Sequence, residues 1–281
     1  MGKFARSWAL AKASFGVLRS DKELLVFPLV SAIAVLLVVA SFVLPMFGMG
    51  LFREFEEGSG MPVAFYLWMF AFYLVQYFVI FFFNAALVGA AMVRLDGGDP
   101  TVGTGLRIAA GKWKQILGYA AIAATVGMLL RAIEQRAGFI GRIVVGLIGV
   151  AWTVATFLTV PVLVARDIGP IDAVKESASL LGKTWGENLI GNGGIGLAMG
   201  LLNALLVFAG VAVVVFCATQ GMAVLAVSVG VVAILAVLSL ALVHAALSGI
   251  DSAALARFAM QGDAAAGFAG MLLREAFQRK L

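Results

Sequence analysis

Few side chains in this 281-residue chain are of a kind that does chemistry, and they are scattered. His244 is the only histidine and Cys217 the only cysteine. A metal site needs several His, Cys, Asp or Glu ligands together, and a hydrolytic triad needs a nucleophile beside a base. Neither can be built around these two. No G-x-S-x-G elbow and no Walker pattern occurs. The run Gly191-Asn192-Gly193-Gly194-Ile195-Gly196 would suit a phosphate loop in a soluble protein, but between apolar runs its glycines serve close helix packing. Gly196 and Gly200 form a G-x-x-x-G pair, and Ala85 with Gly89 has the same spacing. No catalytic residue, metal ligand or cofactor is assigned, and the chain is not expected to be an enzyme.

Two weaker sets remain. The first is neutral and polar and sits inside apolar runs: Gln76 and Asn84, then Thr153, Thr156 and Thr159, then Asn203. Gln76 and Asn84 are eight apart, within reach of one helix face. Such residues hydrogen-bond between helices or line a polar path; Gln76, Asn84, Thr156 and Asn203 are the candidates for a lining. The second set is basic and aromatic: Trp8 with Lys12, Lys112-Trp113-Lys114, and Lys183 with Trp185. Cations beside tryptophan at the edge of an apolar run suit the headgroup level of a membrane, where they meet anionic lipid.

Composition says what positions these residues. Apolar residues make up 63% of the chain and charged ones 12%, against about 45–50% and 25% in ordinary globular chains. Mean hydropathy is +1.06. A soluble protein needs a polar skin that this chain cannot supply, so lipid is its solvent. The net charge of +5 does not indicate nucleic acid, because the cations lie at the ends of apolar runs and not on one face.

A spanning helix needs about 20 apolar residues. Such runs cover 24–52, 58–93, 143–165 and 188–250, the last long enough for two spans with Gln220-Gly221 as the turn, and a shorter one lies between Lys114 and Arg131, whose flanking charges would snorkel. The expected architecture is an all-α, polytopic membrane protein with six transmembrane helices as three hairpins. Spans one to four occupy 24–165 and spans five and six 188–250, within a single domain covering 1–281. The first run starts too late and is too long for a cleaved signal peptide.

Sixteen of the 20 Lys and Arg residues then fall on one side: those before span one, those from Arg94 to Lys114, those from Arg166 to Lys183, and those from Arg257 onward. Arg53, Arg131, Arg136 and Arg142 fall on the other. By the positive-inside rule both termini are cytoplasmic. No acidic residue lies within a span, which disfavours ion-coupled transport. The outward arginines would form a solvated loop cluster, with Glu54, Glu56 and Glu57 as partners.

The cytoplasmic segments resemble one another. Residues 1–22 form an amphipathic interfacial helix, with Ser20 and Glu23 as a capping box for the first span. A second in-plane helix would open at Asp99-Pro100 and a third at Gly169-Pro170. Each precedes a hairpin, and a fourth, from 251 to 281, closes the chain as a cytoplasmic tail.

Three landmarks carry a family likeness: Ser7-Trp8-Ala9-Leu10-Ala11-Lys12-Ala13-Ser14 with the following Asp21 to Pro28, then Ala173-Val174-Lys175-Glu176-Ser177, then Trp185-Gly186-Glu187-Asn188. With these the chain resembles a bacterial family of six-span integral membrane proteins known only as a domain of unknown function. More distantly it is similar to the membrane portion of some glycerophosphodiester phosphodiesterases. The likeness implies a fold and a compartment, the bacterial inner membrane, and no catalytic residues. The phosphodiesterase's soluble catalytic barrel has no counterpart here.

The expected function is non-enzymatic: a scaffold or lipid-organising module that binds anionic lipid on the cytoplasmic face through Trp8, Lys12, Lys112, Trp113, Lys114, Lys183 and Trp185. It would self-associate as a homo-oligomer through Gly/Ala-rich helix faces. A passive channel or uncoupled small-molecule or lipid transporter is the alternative.

Overall fold

In lipid a backbone N–H or C=O has no water to turn to, so each crossing segment must satisfy its own hydrogen bonds as a helix. The computed structural model describes residues 14–48, 63–185 and 189–261, and there the chain is helical with short connections. A short helix, α1, covers 14–20, and a 3₁₀ turn, Lys22–Leu25, leads into α2 (Val26–Gly48). Then follow α3 (Val63–Leu95), α4 (Val102–Gly111), α5 (Trp113–Arg136) and α6 (Phe139–Ala155). The rest is α7 (Thr159–Ala165), α8 (Pro170–Trp185), α9 (Leu189–Thr219) and α10 (Ala223–Gln261).

Five helical stretches are long and apolar enough to cross a membrane: Lys22–Met46, Val63–Leu95, Trp113–Arg136, Phe139–Ala165 and Ala223–Arg257. The protein is a multi-pass membrane protein. The described apolar part of α9 is the shorter Asn203–Thr219. Gly221, at φ +72, makes the tight turn between α9 and α10 at the expected place.

Helix α3 is the hub. It packs against α2, α4, α5, α7 and α10. Its half toward the basic end carries a run of small and branched residues, Ala85 to Ala91, all buried. Gly89 seats Ile108 of α4, whose Cγ2 lies 2.8 Å from where a Cβ would stand. Gly105 of α4 sits against the Ala86 carbonyl oxygen and the Phe27 ring, 2.6 and 2.5 Å from its missing Cβ. Leu87 fits into the space left by Gly249 of α10. The small residues marked in the sequence thus bring helices close, and Gly89's partner is the short α4, not another span.

The core gathers at the same end. Leu24, Phe27, Leu95, Ile116, Leu158 and Ile250 are almost fully buried there. Where such side chains leave water, burial is worth about 1.5–3 kcal/mol each. The other halves of the helices face outward with large apolar groups, such as Leu36, Leu147, Phe208 and Val232. Lipid tails are as apolar as those side chains, so nothing forces them inward. Phe42 of α2 meets Trp68 and Phe72 of α3 at 5.0 and 5.5 Å between ring centres and closes the first hairpin.

Four local expectations change. Ser20 and Glu23 do not form a capping box: the Ser20 hydroxyl donates to Gly16 O, within α1, and Glu23 Oε2 accepts from Val102 N, at the start of α4. Helix α4 opens two residues later than Asp99-Pro100, because Thr101 is the residue whose Oγ1 accepts from Thr104 N. Residue 251 does not begin a separate in-plane helix. Helix α10 runs unbroken for 39 residues, about 58 Å at 1.5 Å per residue, and its last third is buried against the core, not spread on a surface. The 143–165 run is not one helix. Pro161 lacks an N–H and its ring crowds the carbonyl four residues back, and the helix breaks at 156–158. Buried Ser177 of α8 stitches the break, donating to Ala155 O at 2.7 Å and accepting from Leu158 N at 3.0 Å. Pro170 is the first residue of α8, as its sequence position implied.

Two substitutions test this packing by thermal unfolding in detergent. Gly105→Ala should destabilise by about 1–3 kcal/mol, the overpacking range, while Gly103→Ala, whose Cβ would meet only Thr101 Oγ1 at 3.7 Å, should be neutral or stabilising. Equal effects would show that α4 does not press on α3. Ser177→Ala leaves two buried backbone groups unpaired and should cost about 1–3 kcal/mol; Ser179→Ala, at an exposed position on the same helix, should cost almost nothing.

Candidate functional site

Two regions combine unusual side chains with shape: an ionic collar at the basic end and a groove among α3, α5 and α6.

In the collar, cations are matched to carboxylates. Arg94, in the last turn of α3, sits with Nε 2.7 Å from Asp21 Oδ2, and its Nη1 donates to Gly98 O at 3.3 Å. A cation there also favours the helix C-terminus. Arg257 of α10 pairs with Asp96 at 2.6 Å and Arg166 with Glu176 at 2.8 Å. Lys112 donates to Asp167 Oδ1 at 3.0 Å and Arg166 O at 3.1 Å, tying the α4–α5 junction to the loop before α8. The Ser14 hydroxyl donates to Asp251, joining α1 to α10. Asp21 is buried, and burial pushes its carboxyl above the ordinary range while the Arg94 guanidinium pulls it back down.

These pairs sort the expected lipid-binding cations. Lys112 holds the fold together. Lys114 and Trp113 are exposed beside each other, the ammonium 5.8 Å from the ring centre. Arg107 on α4 is exposed as well. Lys183 and Trp185 belong to the last turn of α8, and Trp8 and Lys12 lie outside the described residues, as do Glu54, Glu56 and Glu57.

The groove has a volume of about 650 Å³. One wall carries Tyr77, Phe81 and Tyr119, which belong to a column of stacked rings that Tyr73 continues beyond the groove. Tyr73, Tyr77 and Phe81 follow at four-residue steps on α3, with centroids 6.3 and 5.6 Å apart, and Phe81 stacks on Tyr119 of α5 at 4.4 Å. The interplanar angles are 26, 18 and 22°. At the far end of the column Arg131 Nη1 donates to Tyr73 Oη at 2.5 Å. The opposite wall is α6, with Gly146, Gly149 and Trp152. Gly146 has open space in front of it, and at Gly149 only Leu130 Cδ1 comes as near as 4.0 Å. Glycines that elsewhere bring helices together here leave a gap.

Thr153 and Thr156 line the groove, yet their hydroxyls are taken up by their own helix: Thr153 donates to Gly149 O at 2.9 Å and Thr156 to Trp152 O at 2.8 Å. Back-bonding to the carbonyl four residues earlier is the usual resource of such residues in membrane helices. The groove is therefore oily despite its threonines. Of the other polar candidates, Asn84 Oδ1 lies near Gly249 of α10, 3.7 Å from where its Cβ would stand. Gln76 Oε1 and Asn203 Oδ1 are buried without a hydrogen-bond partner, on α3 and α9. Helix α9 packs mainly on α10. Asn84 thus faces α10 and Thr156 the groove, while Gln76 and Asn203 lie on α3 and α9.

Cys217 and His244 occupy opposite ends of the α9–α10 hairpin. One lies 4 residues before the turn at Gly221 and the other 23 after it, a difference of about 28 Å along the helices. Among the described residues no three His, Cys, Asp or Glu side chains converge. The groove was missed in the sequence because each part of it has an ordinary explanation alone. The signal was there in the aromatic spacing at 73, 77 and 81 and in the glycines at 127, 146 and 149.

Removing the collar's central cation should have a pH signature. Arg94→Met strands Asp21 in a buried place. Losing one partner of a buried pair costs about 3–5 kcal/mol, and partial exposure of Arg94 reduces this to about 1–3. Without the guanidinium the Asp21 carboxyl rises further. A raised folded-state pKa stabilises below the unfolded value, near 4, and that contribution is lost as pH climbs through the folded value. The unfolding temperature of Arg94→Met should therefore fall between about pH 4 and neutrality more steeply than that of the parent. Parallel profiles would show that Asp21 does not depend on Arg94.

No curated protein and no solved structure matches the chain. A family model matches residues 63–268, which include the Ala173–Ser177 and Trp185–Asn188 landmarks and leave the N-terminal one before it. With the helices from α3 to α10 inside that match, the chain belongs to DUF6159, a family of unknown function.

Proposed function

We propose that this protein is a non-enzymatic, multi-pass protein of the bacterial inner membrane that organises anionic lipid at its cytoplasmic face. In this reading α9 completes six spans in three hairpins, both termini are cytoplasmic, and the ionic collar lies at the inner headgroup level. Helix α9 is 31 residues long, about 46 Å, which exceeds the roughly 30 Å of hydrocarbon. Self-association through the Gly196–Gly200 side of α9 is the remaining part of the proposal.

One observation carries it. While Lys112, Arg94, Arg166 and Arg257 are matched to carboxylates, the Trp113–Lys114 pair and Arg107 stay exposed at the basic end. An aromatic–cation pair of this kind is what an interfacial headgroup contact requires. The conduit alternative has less to stand on, because the Thr153 and Thr156 hydroxyls in the groove are taken up by their own helix.

The test is native mass spectrometry of protein released from nanodiscs containing phosphatidylglycerol. A basic residue near an anionic leaflet is worth about 1 kcal/mol, or roughly fivefold, so Lys114→Glu with Arg107→Glu should reduce retained phosphatidylglycerol by about 25-fold or more. Lys112→Glu should instead lower thermal stability, because it puts a carboxylate against Asp167. Unchanged lipid retention in the Lys114/Arg107 variant would end the lipid-organising proposal.

A further inference from the structure

The groove among α3, α5 and α6 is placed, shaped and edged for one kind of occupant. From Tyr119 to Leu130 of α5 it extends over 11 residues, about 16 Å, close to half of the roughly 30 Å hydrocarbon thickness. That is the depth of a single leaflet. Its walls are rings, glycines and aliphatic groups, and its threonine hydroxyls are occupied by backbone carbonyls. An apolar hollow holds an apolar guest, and the medium beside these helices is lipid.

Its outer edge is charged. Arg131 lies one turn beyond Gly127 on α5, and Arg142 one turn before Gly146 on α6. The two antiparallel helices are joined by only two residues, 137 and 138, so both arginines fall near the same end of the groove. Hydrogen bonding to Tyr73 holds the Arg131 guanidinium at the head of the aromatic column. Among the described residues neither Arg131 nor Arg142 is in an ion pair. Glu134 is the one carboxylate described at this end, and it is exposed. Planar guanidinium groups match phosphate oxygens in geometry as well as charge.

We propose that this groove binds one phospholipid, with an acyl chain along the Tyr73–Tyr77–Phe81–Tyr119 column and the phosphate between Arg131 and Arg142. The site is at the end opposite the ionic collar, so it selects lipid from the other leaflet. Only the naming of that leaflet as the outer one rests on the proposed orientation; the site itself does not.

The full chain is tested in detergent and by native mass spectrometry, with phosphatidylglycerol, phosphatidylcholine and a diacylglycerol of identical chains as probes. Gly146→Leu projects into open space, so it should leave the unfolding temperature unchanged and lower retention of all three probes by at least about tenfold. Arg131→Gln with Arg142→Gln should lower retention of both phospholipids and spare the diacylglycerol. Lys114→Glu with Arg107→Glu, expected to lower phosphatidylglycerol retention at the cytoplasmic face, should leave phosphatidylcholine and diacylglycerol retention unchanged, which separates the groove from the cytoplasmic-face proposal. A second measurement does not depend on filling the groove: one equivalent of phosphatidylglycerol brominated on its chains should quench parent fluorescence, and Trp152→Phe should remove most of that quenching. The proposal is overturned by unchanged retention in a folded Gly146→Leu protein, by no quenching through Trp152, or by a parent dimer that Gly146→Leu splits, which would make a second copy the occupant.

Discussion

Close approach of α3 to its neighbours is the constraint on which the remainder of the structure depends. A membrane helix gains little by hiding apolar side chains from lipid, so helices associate where backbones can come near and van der Waals contact is dense. The stretch Ala85–Ala91 permits that, and α4 and α10 answer with Gly105 and Gly249. Short α4 therefore wedges against a span and does not rest on a surface. Phe27 is held in the same contact, which brings α2 into register.

The second constraint is that no backbone group can be left open. The Pro161 break puts free carbonyl and amide groups between α6 and α7, and one hydroxyl, Ser177, meets both sides of it. This couples α8, an amphipathic helix, to the interior of the fourth crossing. A similar economy governs charge. The collar's matched pairs tie α1, α3, α8, α10 and the intervening loops together, and this separates structural cations from the few that remain open to lipid. Counting basic residues per loop overstates how many are available as ligands.

The two proposed lipid sites differ in origin. At the basic end an exposed Trp–Lys pair remains after neighbouring cations find internal partners. At the other end a groove exists because α5 and α6 are joined by a tight connection, yet Gly146 of α6 has open space before it and Gly149 meets only Leu130 Cδ1, at 4.0 Å. Small residues thus have two opposite effects in one molecule. Gly105 and Gly89 close a contact, while Gly146 opens a space, and only the partner helix decides which.

Sequence alone determined the solvent, the helical character, most span positions and the side on which charge collects, because these follow from hydrophobic length and from Lys and Arg counts along the chain. It also located the turn at Gln220-Gly221 and the start of α8 at Pro170, where glycine and proline restrict the backbone locally. It did not determine that residue 251 continues a helix, since nothing local distinguishes a helix packed into a core from one lying in a headgroup layer. Nor could it tell Lys112, bound to Asp167 55 residues away, from Lys114 two positions on. The groove and the Ser177 stitch likewise belong to tertiary structure alone. They arise from residues on different helices, and pattern along one helix carries no information about what stands across from it.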